Sequence, residues 1–200
     1  MDRVDSIDGH PTTILGHPQV VSTPYGKAVR FNGIDDALFV GAHPLAGAST
    51  WTWEVIFEPS ADGAPAQRFF HLSVLDSHGN DTNDRMLFEI RIVEGQWCLD
   101  SFAMTGTHKL ALLNCRKRYP LDKWYRVTAV YDGKTFKNYV GDELQSQGDL
   151  EIAPQGAGRA SIGTRINKQD FFKGAVYASR FTRRALGVED FLTLPSRGDR

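Results

Sequence analysis

Hydrophobic and polar residues alternate along most of this chain. In WTWEVIFE, residues 51–58, Trp51, Trp53, Val55 and Phe57 fall on one side of an extended backbone, and Thr52, Glu54 and Glu58 on the other. Phe70, Leu72 and Val74 repeat the spacing in FFHLSVL, as do Met86, Phe88, Ile90 and Ile92 in RMLFEIRIV. KAVRFNG, ALFVG, QWCLDSF, RASIGTRI and KGAVYASRF read as further strands. Asn32-Gly33, Asp62-Gly63, His78-Gly79-Asn80-Asp81, Glu94-Gly95 and Asp132-Gly133 interrupt these runs with residues suited to tight turns. WYRVTAVYDGKTFKNYVGDEL, residues 124–144, reads as a hairpin, with Val127, Ala129 and Tyr131 marking its first strand. The period leaves open whether Lys137 and Tyr139 or Asn138 and Val140 face inward. One short helical turn is expected, around GVEDFLTL near the end. Many strands with almost no helix predict an antiparallel sandwich or barrel. The polar alternate positions require one sheet face open to solvent.

Composition narrows the partners. The 200 residues suit one domain with a substantial core, and 41% hydrophobic with 24% charged residues is a globular balance. A net charge of -1 provides no global field for gripping phosphate backbones, so nucleic acid is not the expected partner. No apolar run is long enough for a membrane span. MDRVDSIDGHPTTILG lacks a signal-peptide pattern, which predicts a cytoplasmic protein if the chain is full length and a secreted one if it is trimmed. Cys98 and Cys115 are too few for a disulfide scaffold or a thiolate cage. Without a leader, free buried thiols are expected, with a single bridge as the outcome of export.

GKAVRFNGIDDALFV, STWTWEVIFEP, KWYRVTAVYDGKTFKNYVGDEL, ASIGTRI and FFKGAVYASRFTRRAL follow one another in a telling order. Together they resemble the laminin-G-like branch of the concanavalin A-like lectin/glucanase superfamily, over about residues 26–191. The resemblance implies an all-β, two-sheet antiparallel jelly-roll sandwich forming one domain across 1–200. It also implies a carbohydrate-related role, although such sandwiches serve lectins, hydrolases, lyases and adhesion modules alike. Val140-Gly141-Asp142 departs from the family pattern, which places Asp before Gly, and this leaves the turn type open.

Alternation then nominates side chains. If Phe88 and Ile90 enter the core, Glu89 and Arg91 leave it together, and His71 likewise opposes Phe70 and Leu72. A concave sheet bearing His71, Glu89, Arg91, Tyr139 and Arg165, edged by Trp97 or Trp124, would suit an oligo- or polysaccharide, including an acidic one. Arginine pairs with carboxylates and aromatic faces stack on sugar rings. The same positions would be polar on any half-exposed sheet.

Two enzymatic alternatives use this groove. RMLFEIR and DFFKGAVYAS resemble strands of jelly-roll alginate lyases, which would carry roles onto Glu89, Arg91, Lys173 and Tyr177. However, Leu87 stands where that motif has arginine, and its Gln-x-His strand is missing. A retaining glycoside hydrolase needs paired carboxylates, for which Glu54 with Glu89, or Glu89 with Asp100, are the candidates. An adhesion module, homodimeric through sheet edges, is the non-sugar reading.

No cofactor is required by any of these readings. A structural Ca2+ is the one ion the loops suggest: Asp76 and Asp81 lie in the oxygen-rich DSHGNDTND, and the family resemblance adds Asp35 or Asp36. Turn chemistry alone selects such residues too. Arg116, Lys117, Arg118 and Lys123 cluster in NCRKRYPLDK and could steer an acidic polysaccharide. The tripeptide Arg197-Gly198-Asp199 is set aside as a chance recurrence at a polar terminus.

Overall fold

The computed structural model describes residues 1–194, so Arg197-Gly198-Asp199 lies outside the described residues. In chain order the strands are β1 (Ser6–Ile7), β2 (His10–Leu15), β3 (Gln19–Thr23), β4 (Gly26–Asn32), β5 (Ala37–Val40), β6 (Trp51–Pro59), β7 (Ala66–Leu75) and β8 (Asp81–Val93). Then come β9 (Gln96–Thr105), β10 (His108–Leu113), β11 (Tyr119–Pro120), β12 (Tyr125–Tyr131), β13 (Thr135–Val140), β14 (Glu143–Asp149), β15 (Gly158–Ile162) and β16 (Lys173–Thr182). A 3-10 turn at Val188–Asp190 takes the place of the expected helical turn.

Two antiparallel sheets result. One has nine strands, ordered β1-β2-β5-β15-β7-β8-β9-β10 with β11 alongside β9; the other has seven, ordered β14-β13-β12-β6-β16-β4-β3. The chain passes repeatedly between them, and the result is a jelly-roll sandwich. The alternating apolar residues meet in the space between. Trp53 lies against Phe88 of the opposite sheet at 4.4 Å between ring centroids, and Phe57 stacks on Phe69 at 4.4 Å. Truncating a wholly buried aromatic such as Trp53 to alanine costs about 3–5 kcal/mol.

The hairpin at 124–144 resolves the inward set. Asn138 points in and Tyr139 out. The Asn138 amide donates to Ser101 Oγ and to the Leu112 carbonyl, both at 3.1 Å, and so ties the seven-stranded sheet to β9 and β10 through a buried polar bridge. Val140 pairs with Glu143, which leaves Gly141-Asp142 as a two-residue loop. Gly141 has φ +57° and Asp142 is not left-handed, the pattern of a type II′ turn, with glycine required at its first central position. The order Gly-Asp thus selects a different hairpin turn without disturbing the strands.

Two expectations change, and the period-2 reading has a gap. RASIGTRI is a strand only to Ile162; after Gly163 the chain leaves the sheet, so Arg165 and Ile166 sit in a loop. The peripheral strands β2, β3, β10 and β14 carry exposed residues on both sides, which erases the period-2 signal. The cysteines are not free thiols. Cys98 and Cys115 form a disulfide with their Cα atoms 5.1 Å apart. Leu113 pairs with Asp100, and two further steps in the same antiparallel register bring Cys115 opposite Cys98.

Candidate functional site

The outer faces of the two sheets differ. On the seven-stranded sheet, the segment after β16 lies across β6, β12 and β13. Glu54, 0% exposed, accepts hydrogen bonds from Leu192 N at 2.6 Å and Arg180 Nε at 2.5 Å. Thr52 Oγ1 accepts from Leu186 N and donates to the Arg184 carbonyl, both at 2.9 Å. Arg126 donates to the carbonyls of Leu192 and Gly141 and holds its guanidinium carbon 4.9 Å from the Phe191 ring centroid. Leu186 and Phe191 pack on Val130 and Tyr139. This face is capped.

The nine-stranded sheet keeps an open stretch on its outer face. Register places His71, Leu87, Phe102 and Ala111 in one cross-strand row, and Ser73, Arg85, Met104 and Lys109 in the next. Between β8, β9 and β10 lies a depression of about 440 Å³ lined by Asn83, Arg85, Phe102, Met104, Lys109 and Ala111. Arg85 is fixed there before any ligand arrives. Its guanidinium lies 4.7 Å from the Phe102 ring centroid, and Nη1 donates to the Asn83 carbonyl at 2.7 Å and contacts Met104 Sδ at 3.5 Å. Burial, then the charge of Arg165, pull its pKa down, but a guanidinium this basic stays protonated. A cation held flat on a ring beside a second exposed cation, Lys109, can receive hydroxyls or an anion with little loss of side-chain freedom.

Further along the same face, Glu89 and Arg91 are joined by groups that spend their charge. Arg91 Nη2 contacts Glu89 Oε2 at 2.9 Å and Asp100 Oδ2 at 2.7 Å, and Arg91 Nε reaches the same Asp100 oxygen at 3.1 Å. Arg68 Nε sits 2.9 Å from Glu89 Oε1, with Arg68 Nη1 2.6 Å from Asp170. Burial and the neighbouring Asp100 raise the Glu89 pKa, against the lowering by Arg68 and Arg91. The Glu89 and Asp100 side chains are only 8% and 7% exposed. This is a closed ion network. His71 is 1% exposed: Ile166 N donates to its Nδ1 at 2.9 Å, and burial, with Arg165 next in effect, drives its pKa down to about 3. It is a neutral imidazole under the 163–170 loop, which also carries Arg165 over the sheet.

A family model described as concanavalin A-like lectin/glucanases superfamily, of laminin G type, matches residues 32–190. The chain belongs to this family. No curated protein sequence matches it. Among solved structures, this laminin G-like domain is similar to domain 4 of AbnA, a GH43 extracellular arabinanase from Geobacillus stearothermophilus, in complex with arabinotriose. The TM-score is 0.65 at 16% identity, covering 94% of this chain and 90% of that one. It is also similar to the CBM40 of the Ruminococcus gnavus IT-sialidase bound to α2,6-sialyllactose (TM-score 0.58, 12% identity, 82% and 93% covered). A Trypanosoma rangeli sialidase in complex with sialic acid gives TM-score 0.63 at 12% identity, covering 91% of this chain and 28% of that one. At such identities the likeness shows the fold.

Within this laminin G-like domain the remaining nominated residues are dispersed. Tyr139 lies under the cap on the seven-stranded sheet, against Phe191. Tyr177 and Trp124 share an aromatic contact on that sheet, and Lys173 pairs with Asp62 at 2.5 Å at the start of β16. Trp97 is wholly buried, packed on Phe57 and Tyr125, and edges no groove. Glu89, Arg91, Lys173 and Tyr177 therefore do not converge as a lyase set. Glu54 and Glu89 are on different sheets, whereas Glu89 and Asp100 are direct cross-strand partners.

The nominated aspartates serve turns and ion pairs. Asp36 accepts from His17 N and Asn32 N, and Asp35 from the Asn32 amide. Asp76 accepts from His78 N and Asn80 N, and Asp81 pairs with Arg159 and Ser73 Oγ. Among the described residues, no group of three or more His, Cys, Asp or Glu side chains is placed to hold a metal ion. The basic loop is partly neutralised, through Lys117 with Glu143 at 2.8 Å and Arg118 with Glu94 at 2.7 Å. Sequence reasoning missed Arg85, Phe102 and Lys109. Arg85 and Leu87 belong to the same outward set as Glu89 and Arg91, so the signal for Arg85 was present in β8.

Proposed function

We propose that this domain binds an oligosaccharide on the outer face of the nine-stranded sheet, in the depression between β8, β9 and β10. The observation that carries the reading is the asymmetry of the faces. The centre of one, over β6, β12 and β13, is capped by the segment after β16; the other keeps a depression floored by Phe102, with Arg85 already oriented and Lys109 and Asn83 at hand. An aromatic ring and fixed polar donors at a shallow concavity suit a sugar, which offers apolar C–H faces and a hydroxyl rim. The arabinotriose and sialyllactose complexes of proteins with this fold support a carbohydrate partner in kind.

A glycan array with the full chain tests this. The wild type should bind at least one oligosaccharide class, and Phe102→Ala with Lys109→Ala should weaken that signal tenfold or more while leaving the melting temperature within a few degrees. A blank array, or a signal indifferent to both substitutions, would remove the reading.

A further inference from the structure

Three nitrogen groups beside the depression lack the partners that such groups ordinarily have. His71 Nδ1 accepts the Ile166 N–H, so in the neutral imidazole the proton sits on Nε2. That Nε2 is buried without a hydrogen-bond partner among the described residues, and Arg85 Nε is in the same condition. Buried donors left unpaired are uncommon and costly. Across the β7–β8 pair His71 faces Leu87, so Arg85 is its diagonal neighbour, within reach of a long side chain. Arg165 directly precedes the residue that hydrogen-bonds His71, and its charge bears on both His71 and Arg85.

The charge balance around these groups is one-sided. On this face Arg68, Arg91 and Arg159 each have a carboxylate partner. Neither Arg85 nor Arg165 has one among the described residues. Asp81, the acid that bears on His71, is taken by Arg159 and Ser73 Oγ, and Glu89, which bears on Arg85, by Arg68 and Arg91. Two uncompensated guanidinium groups held close together repel each other unless an anion lies between them. His43 Nδ1, whose Nε2 donates to Gln155, is an unpaired acceptor nearby, but it is neutral; the charged groups left over, Arg85 and Arg165, are donors, and the missing component is an acceptor with negative charge.

We infer that His71 Nε2, Arg85 and Arg165 form a subsite for the carboxylate of a sugar acid, an inference that rests on the carbohydrate reading above. The planar carboxylate matches the guanidinium fork, and one of its oxygens meets the imidazole N–H. Arg165 forms the outer wall, half-exposed on the 163–170 loop, whereas Arg85 is braced on Phe102. A neutral sugar has no group that satisfies this set. The depression beside it takes the rest of the ring or the next residue of the chain.

The test is an NMR titration of the whole chain at pH 7 and constant ionic strength, following the His71 Nε2–H resonance. Glucuronate, galacturonate and N-acetylneuraminate are compared with their methyl esters. At least one acid should move the resonance saturably, with its ester at least tenfold weaker. Arg165→Gln should weaken the acid about tenfold or more with the melting temperature kept within a few degrees, since the half-exposed Arg165 side chain makes no hydrogen bond or ion pair among the described residues. Arg85→Gln should act in the same direction.

Equal affinity for acid and ester would overturn the carboxylate subsite and leave the carbohydrate reading standing. The same holds for a stationary His71 signal while the amides around Phe102 move. If neither the acids nor neutral oligosaccharides bind anywhere on the face, both fall.

Discussion

Replacing Arg91 with alanine separates a structural role from a ligand-binding one. Arg91 bridges Glu89 and Asp100, which face each other across β8 and β9 and are both almost out of solvent. Without it Glu89 retains Arg68, but Asp100 loses its cation and stands beside a like charge. Removing one partner of a buried ion pair costs about 3–5 kcal/mol. The Arg91 side chain is 28% exposed, so solvent screens part of this, and a loss of about 2–3 kcal/mol is expected. With a urea m-value of about 2–3 kcal/mol/M, the midpoint should fall by about 1 M at pH 7.

Adding Asp100→Asn should recover half or more of that loss by removing one of the opposed charges. The sign with pH is set by the Glu89 carboxyl, whose folded pKa is already raised by burial and Asp100 and would rise further. A raised folded pKa favours the folded state once the proton is bound, so the deficit should shrink as pH falls from 7 towards 5. Sugar binding at the depression should stay within about twofold, because Arg91 lines no part of it. A midpoint unchanged to within 0.2 M (roughly 0.5 kcal/mol), or binding lost with stability intact, would refute the closed network.

The His71 pKa of about 3 lies below its unfolded value of 6.5, so the unfolded chain takes up the proton first. Stability should therefore fall by about 2 kcal/mol from pH 7 to pH 5 through this group, and His71→Gln should flatten that part of a pH series of urea melts. Reduction of Cys98–Cys115, which closes a loop with sequence separation 17, should cost about 3 kcal/mol, read as a dithiothreitol-dependent drop in the urea midpoint. Asn138→Ala should cost about 2 kcal/mol by leaving the Leu112 carbonyl without its donor, while Asn138→Asp should do no better at pH 7, since a carboxylate cannot donate.

The strands of the sandwich were legible wherever apolar side chains alternate with polar ones, as in β6, β7, β8 and the first strand of the β12–β13 hairpin, even where the polar side is itself buried. Where both faces are polar, as in HPTTIL of β2, the period vanishes. One consequence was the cysteine pairing. Once HKLALL is known to be β10 in register with β9, Cys115 must fall opposite Cys98, but the alternation alone does not reveal that strand.

The site was less legible for a different reason. Alternation puts Glu54, Arg85 and Arg91 all outward and leaves Tyr139 undecided, without saying which sheet each outward face belongs to or what covers it. The segment around Leu186–Leu192 caps the centre of one face, and cross-strand pairing spends Arg91 on Asp100 while Arg85 has no carboxylate partner among the described residues. Both are tertiary facts.

Amide shift mapping with whichever oligosaccharide the array selects distinguishes the open face from the capped one. Perturbations should concentrate at residues 83–87, 102–104 and 109–111 of the nine-stranded sheet. Perturbations confined to residues 52–54, 126–130 and 186–192 on the capped face would contradict binding at the open face.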